Sequence, residues 1–154
     1  MLGDIKLNSD PVLWQRLLNF GNENFNKENW LQAEYYYKEA ESHLDYLWSA
    51  DTTNVNLLMA WICSLHNLAS LYEQQGKSHA ELKYLLIPHH RMLNISNSKQ
   101  ASEDLKLIAI KALKLTFTPL LLFTKSNPTC NDCQQTMNEF QQKLENNQEV
   151  VYCA

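Results

Sequence analysis

Glycine occurs only three times in the 154 residues of this chain, and proline four times. A sandwich or barrel needs turn residues every ~8–12 positions, so this scarcity argues against an all-β fold. A phosphate-cradling loop or a dinucleotide fingerprint needs several glycines close together, and none is present. Hydrophobic residues make up 45% and charged residues 19%, which is enough apolar material for one packed domain and too much for a disordered chain. The expectation is a single all-α domain over residues 1–154.

The apolar residues recur at helical spacing. Asp10 and Pro11 fit the cap and first position of a helix carrying Leu13, Leu17, Phe20 and Phe25. After a polar break at residues 26–29, a second helix runs from about Trp30 to Trp48, with Ala33, Tyr37, Ala40 and Leu44 on one stripe. Thr52 or Thr53 is placed to cap a third helix, which carries Leu58, Trp61, Leu65, Leu68 and Tyr72 and ends at Gly76 as a left-handed cap. Ser78 and Glu81 read as a capping box for a fourth helix. Ser102 opens a fifth, through Leu105, Ala109, Leu113 and Phe117. A sixth spans Met137, Phe140 and Leu144. Pro88 and Pro119 fall inside helical pattern, where proline kinks or interrupts. The organisation expected is three antiparallel hairpins: 10–50, 52–94, and a divergent third with its cap over 101–147.

Net charge is −4, and the acids concentrate at the front: residues 1–51 hold nine acids against four bases. This is not the basic footprint of a nucleic-acid binder; it favours a protein or peptide partner. Met1 to Pro11 is polar and lacks a signal-peptide core. The longest apolar stretch, about Leu113 to Phe123, falls short of the ~20 residues a membrane span needs. The chain is expected in the cytoplasm, without a membrane role, with its four cysteines as reduced thiols.

Residues 17–40 read LLNFGNENFNKENWLQAEYYYKEA. With Leu17, Phe20 and Gly21 in the first helix and Trp30, Ala33, Tyr37 and Ala40 in the second, this segment resembles a tetratricopeptide (TPR) repeat. A looser second copy, residues 65–84, reads LHNLASLYEQQGKSHAELKY and also resembles the longer repeats of kinesin light chains. Its turn is one residue short, and Asn24 stands where the first repeat commonly has Tyr. Gly21 and Ala69 lie 48 residues apart, against ~34 in a standard repeat, so longer helices are expected around Leu44 to Trp61. The resemblance implies a short, divergent bacterial TPR-like protein: hairpins stacked as a right-handed superhelix and closed by a C-terminal capping helix.

In such folds the first helix of each hairpin lines a concave groove for a peptide or helix. That would place Leu18, Asn19, Asn22, Phe25 and Asn26 from the first repeat in the groove. His66, Asn67, Ser70, Glu73 and Gln74 would come from the second. The amides suit an extended peptide backbone, and Leu18 and Phe25 suit apolar anchoring; the same residues also fit a plain solvated face. Asn22 and Asn67 resemble part of a carboxylate clamp, but Leu18 occupies its basic position, which speaks against a chaperone-tail receptor. Three consecutive tyrosines cannot all face inward on a helix, so Tyr37 is expected buried and Tyr35 or Tyr36 exposed, with a homodimer contact as one use.

Cys130 and Cys133 form the one chemical motif. With Thr129 as a cap, Cys130 sits at a helix N-terminus, where the dipole lowers a thiol pKa. The position resembles that in thioredoxin-like proteins, yet the βαβ context is missing. A zinc site would need Cys153 and a histidine as well. A redox- or zinc-responsive regulator is therefore the alternative to a non-catalytic interaction module. His43 and His79 read as solvent-facing, and His89–His90 as an exposed kink. No catalytic constellation is visible, and no enzyme activity or cofactor is expected.

Overall fold

The computed structural model describes residues 12–127, together with Gln135, Asn138, Glu139 and Gln142. Five helices and no strand occur in the stretch from Val12 to Asn127. They are α1 (Leu13–Asn26), α2 (Trp30–Ser49), α3 (Val55–Gln74), α4 (Ser78–Ser96) and α5 (Glu103–Ser126). The long middle helices expected from the repeat spacing are present, α2 and α3 having 20 residues each. The caps expected at Asp10 and Pro11 lie outside the described residues. Of the sixth helix, the four described positions are helical and the rest lies outside.

The chain divides into two compact units, Met1–Tyr84 and Leu85–Ala154, with the boundary inside α4. Pro88 is part of that helix. Its missing N–H leaves the Tyr84 carbonyl without its helical donor, at the residue where the first unit ends. Neither Pro88 nor Pro119 interrupts its helix, since α4 and α5 run through them.

In the first unit α1 and α2 form an antiparallel hairpin. Gly21 is buried against the ring of Tyr37, so closely that a Cβ there would overlap the ring. Phe20 meets Tyr36 with ring centroids 5.3 Å apart, and Phe25 meets Trp30 edge-on at the same distance. The turn is closed by Glu28 at φ 60°, with the Asn29 N–H donating to the Asn24 carbonyl at 2.8 Å. A left-handed residue here was not anticipated, because no glycine marks it. As expected, Tyr37 is buried while Tyr35 is exposed.

α3 packs antiparallel on α2 and supplies most of the core, with Leu58, Trp61, Leu65, Leu68 and Leu71 all at most 1% exposed. Trp61 stacks on Trp48 at 5.9 Å and donates its indole N–H to Glu41 at 3.0 Å. One end further along, the Tyr72 hydroxyl donates to Glu34 at 2.6 Å, and Lys38 pairs with the same carboxylate at 2.9 Å. The N-cap of α3 is Asn54, whose side chain accepts from the Leu57 N–H at 3.2 Å while its amide donates to Asp51. Thr52 and Thr53 are displaced from that task because Asn54 satisfies both sides of the turn. Gly76 adopts φ +69° and ends α3 as expected. Tyr84 then stacks on Tyr72 at 5.4 Å, joining the start of α4 to α3. Ser78 is already helical, and the first turn of α4 closes on the Lys77 carbonyl. The capping box is not formed.

In the second unit, α5 carries a buried stripe of Ala109, Ala112, Leu113, Thr116, Phe117, Leu120 and Phe123. Its N-cap is Ser102, accepting from the Leu105 N–H at 3.1 Å, as expected. His89 of α4 is buried, with Nδ1 3.0 Å from the Thr116 hydroxyl and its ring 5.8 Å from Phe117. The Thr116 hydroxyl spends its single hydrogen on the Leu113 carbonyl at 3.1 Å, so it is His89 Nδ1–H that donates to it. The expected exposed kink at His89 is thus a buried polar contact. His43 is buried as well, because it lies one turn from Ala40 on the inward stripe of α2.

By length and composition alone, α3 and α5 are each apolar enough to cross a membrane. The stretch expected to be too short lies within a 24-residue helix. About half of each apolar window is buried, 56% in α3 and 44% in α5, and core helices pass the same test.

Candidate functional site

The residues expected to line a groove all fall in the first unit, on α1 and α3, the two helices that flank α2. On α1, Asn19, Asn22 and Asn26 are exposed, one helical turn apart, beside the half-buried Leu18 and Phe25. Phe25 gives one edge to Trp30 and is partly committed to the hairpin. Asn22 accepts the Tyr37 hydroxyl hydrogen at 2.7 Å through Oδ1, which leaves its amide N–H donors available.

On α3, Ser70, Glu73 and Gln74 are exposed, whereas His66 and Asn67 are half-buried. His66 Nε2 is buried without a hydrogen-bond partner, and burial pulls its pKa down to about 4. The imidazole is therefore neutral at physiological pH. Glu73 is drawn toward α4: its carboxyl meets Glu81, whose pKa rises through burial and then through the nearby Glu73 charge and hydrogen bond. This pairing also explains why Glu81 does not serve as a capping partner for Ser78.

Tyr37 of α2 has a neighbour on each flanking helix. Its hydroxyl is held by Asn22 of α1, and its pKa is raised to about 12 by burial first and by the neighbouring Cys63 of α3 second. No side-chain hydrogen bond joins any two of the ten expected residues. Cys63, its thiol pKa raised by partial burial, sits one turn from His66 and Asn67 on the same face. It was not singled out in the sequence, although its spacing from His66 carries the signal.

A depression of about 600 Å³ is lined by other residues: Trp30, Leu31, Glu34, Gln75 and Lys77. Leu31 is 78% exposed there, and the Gln75 Oε1 is buried without a partner. The sequence hid it, because its walls come from the start of α2 and the residues just after α3 rather than from one helix face. Glu34 is held below the usual carboxylate range by the Tyr72 hydroxyl and then by Lys38. No group of three or more potential metal ligands occurs among the described residues. Cys130, Cys133 and Cys153 lie outside them.

The chemistry available is hydrogen-bond donation from amides, a neutral imidazole and apolar contact, which are means of binding. No curated protein and no solved structure shows significant similarity to this chain. Residues 12–152 match the family described as "Protein of unknown function (DUF2753)", and the chain belongs to that family.

Proposed function

We propose that this protein is a non-catalytic interaction module of TPR-like kind, acting in the cytoplasm, whose first unit receives a peptide or a partner helix along α1 and α3. The observation that carries the reading is the row of exposed amides Asn19, Asn22 and Asn26 beside half-buried Leu18 and Phe25. Extended peptides are read by such donors, with apolar side chains taking the anchor positions. The close approach of α1 and α2 at Gly21 supports the same reading, since the repeat resemblance puts a small residue at that helix contact. The orphan His66 Nε2 adds a polar atom without a partner on α3.

The test is an affinity capture with the chain as bait, comparing it with a variant carrying Asn22→Ala and Asn67→Ala together. Loss of the captured partner with unchanged helix content supports the groove. Unchanged recovery from a folded variant refutes it.

A further inference from the structure

Within the second unit, α5 has a second face that no described residue covers. The exposed positions along it are Asp104, Leu107, Lys111, Leu115, Thr118, Leu122 and Lys125, spaced three or four residues apart. That spacing keeps all seven on one stripe of the helix, opposite the buried one. Its leucines are among the more exposed large apolar residues: Leu107 at 52%, Leu115 at 42% and Leu122 at 59%. Single exposed leucines are ordinary, but three on one seam of about 22 Å are a surface built for contact.

We infer that the occupant of this face is a second copy of the chain, with the two α5 helices crossing antiparallel beside Leu115. The order of residues along the stripe selects that partner and that direction. Turned end for end, Leu107 meets the Leu122 of the other copy, Lys111 meets Thr118, and Leu115 lies next to its own equivalent. Asp104 at one end then meets Lys125 at the other, so each crossing gains two opposite-charge contacts. A parallel pairing would instead set Asp104, Lys111 and Lys125 each against its own like charge. The two termini also suit their charges, with Asp104 in the first turn and Lys125 in the last. A self-complementary patch of this kind is what an isologous two-fold interface demands. This inference uses the second unit alone and does not depend on the groove.

The experiment is sedimentation or light scattering of the full chain from about 1 to about 200 μM. The expected mass rises from 18.0 kDa to twice that value across the series. Leu115→Glu raises the dissociation constant by about tenfold or more, while circular dichroism confirms an unchanged helix content. D104K alone and K125D alone weaken the dimer by about fivefold each, and the two together restore it to within about twofold. The charge series carries the test if the Leu115 variant does not fold. A chain that stays at 18.0 kDa throughout overturns the proposal, whether its own C-terminal residues or a different protein cover the face. A double charge variant no tighter than either single one overturns it too.

Discussion

Within the first unit, the α1–α2 hairpin and the hairpin of α3 with the start of α4 reach similar ends by different chemistry. In the first, the helices approach until glycine is the one residue that fits under Tyr37, and the turn is made by Glu28 in a left-handed conformation. In the second, the left-handed position belongs to Gly76, and the helices are joined by two stacked tyrosines and a pair of carboxyls. One hairpin depends on a small residue in its wall and tolerates strain in its turn. The other has an unstrained turn and places titratable groups in its wall. The local signature of a close helix pair and the local signature of a tight turn are thus separable properties.

The strongest way to break this comparison is to remove the small residue. Gly21→Leu forces the Tyr37 ring aside and costs about 3 kcal/mol or more, read as a lowered denaturant midpoint or loss of folding. A weaker loss on adding Tyr37→Ala to it identifies the clash as the cause.

Acid sharpens the contrast next. His66 of α3 takes a proton near its ordinary 6.5 when unfolded but resists until about 4 when folded. The unfolded state binds more protons in that window, so stability is full above about 6.5 and drains as pH falls toward 4. His43 and His89 are shifted the same way, by burial first in each case. Glu81 has the opposite sign: its raised pKa adds stability at low pH that is lost as pH rises through its folded value. With partial exposure allowed for, His66 accounts for about 2 kcal/mol of the acid loss, and His66→Gln flattens the stability–pH curve accordingly.

The two turns give the smaller effects, and they have opposite signs. Gly76→Ala meets no neighbour within 4 Å, so its loss of about 1 kcal/mol comes from the left-handed backbone alone. Glu28→Gly relieves the same conformation and stabilises by about 0.5–1 kcal/mol. Thermal melts of the two variants side by side check both, and equal signs would show that the turns are not equivalent.

Five of the expected helices, the length of α2 and α3 and the inward stripes of α2, α3 and α5 were legible in the sequence because they are periodic, and periodicity survives without knowledge of partners. Gly21, Ala33 and Tyr37 were legible as helix-contact positions from their spacing, but the seating of the Tyr37 ring on Gly21 was not, since it depends on how the two helices face each other. What was not legible depends on where a second helix lies. Glu28 carries no conformational marker, and Asn54 outcompetes two threonines through contacts on both sides. His43 and His89 look polar until the burying helix faces are in place. The groove residues were readable as a face, but the diversion of Glu73 toward Glu81 and of Asn22 onto Tyr37 was not.

The two hydrogen bonds that tie α3 to α2, Trp61 to Glu41 and Tyr72 to Glu34, have a consequence for descent. Each spends one donor on one carboxylate, so neither member of a pair is free to drift alone. In other members of this family, a chain that has lost the acid at the position of Glu34 is expected to have exchanged the phenol opposite it, and likewise for Glu41 and the indole. Paired substitution at those two couples, with independent change at exposed neighbours such as Tyr35 and Glu39, is the inherited trace such an arrangement leaves.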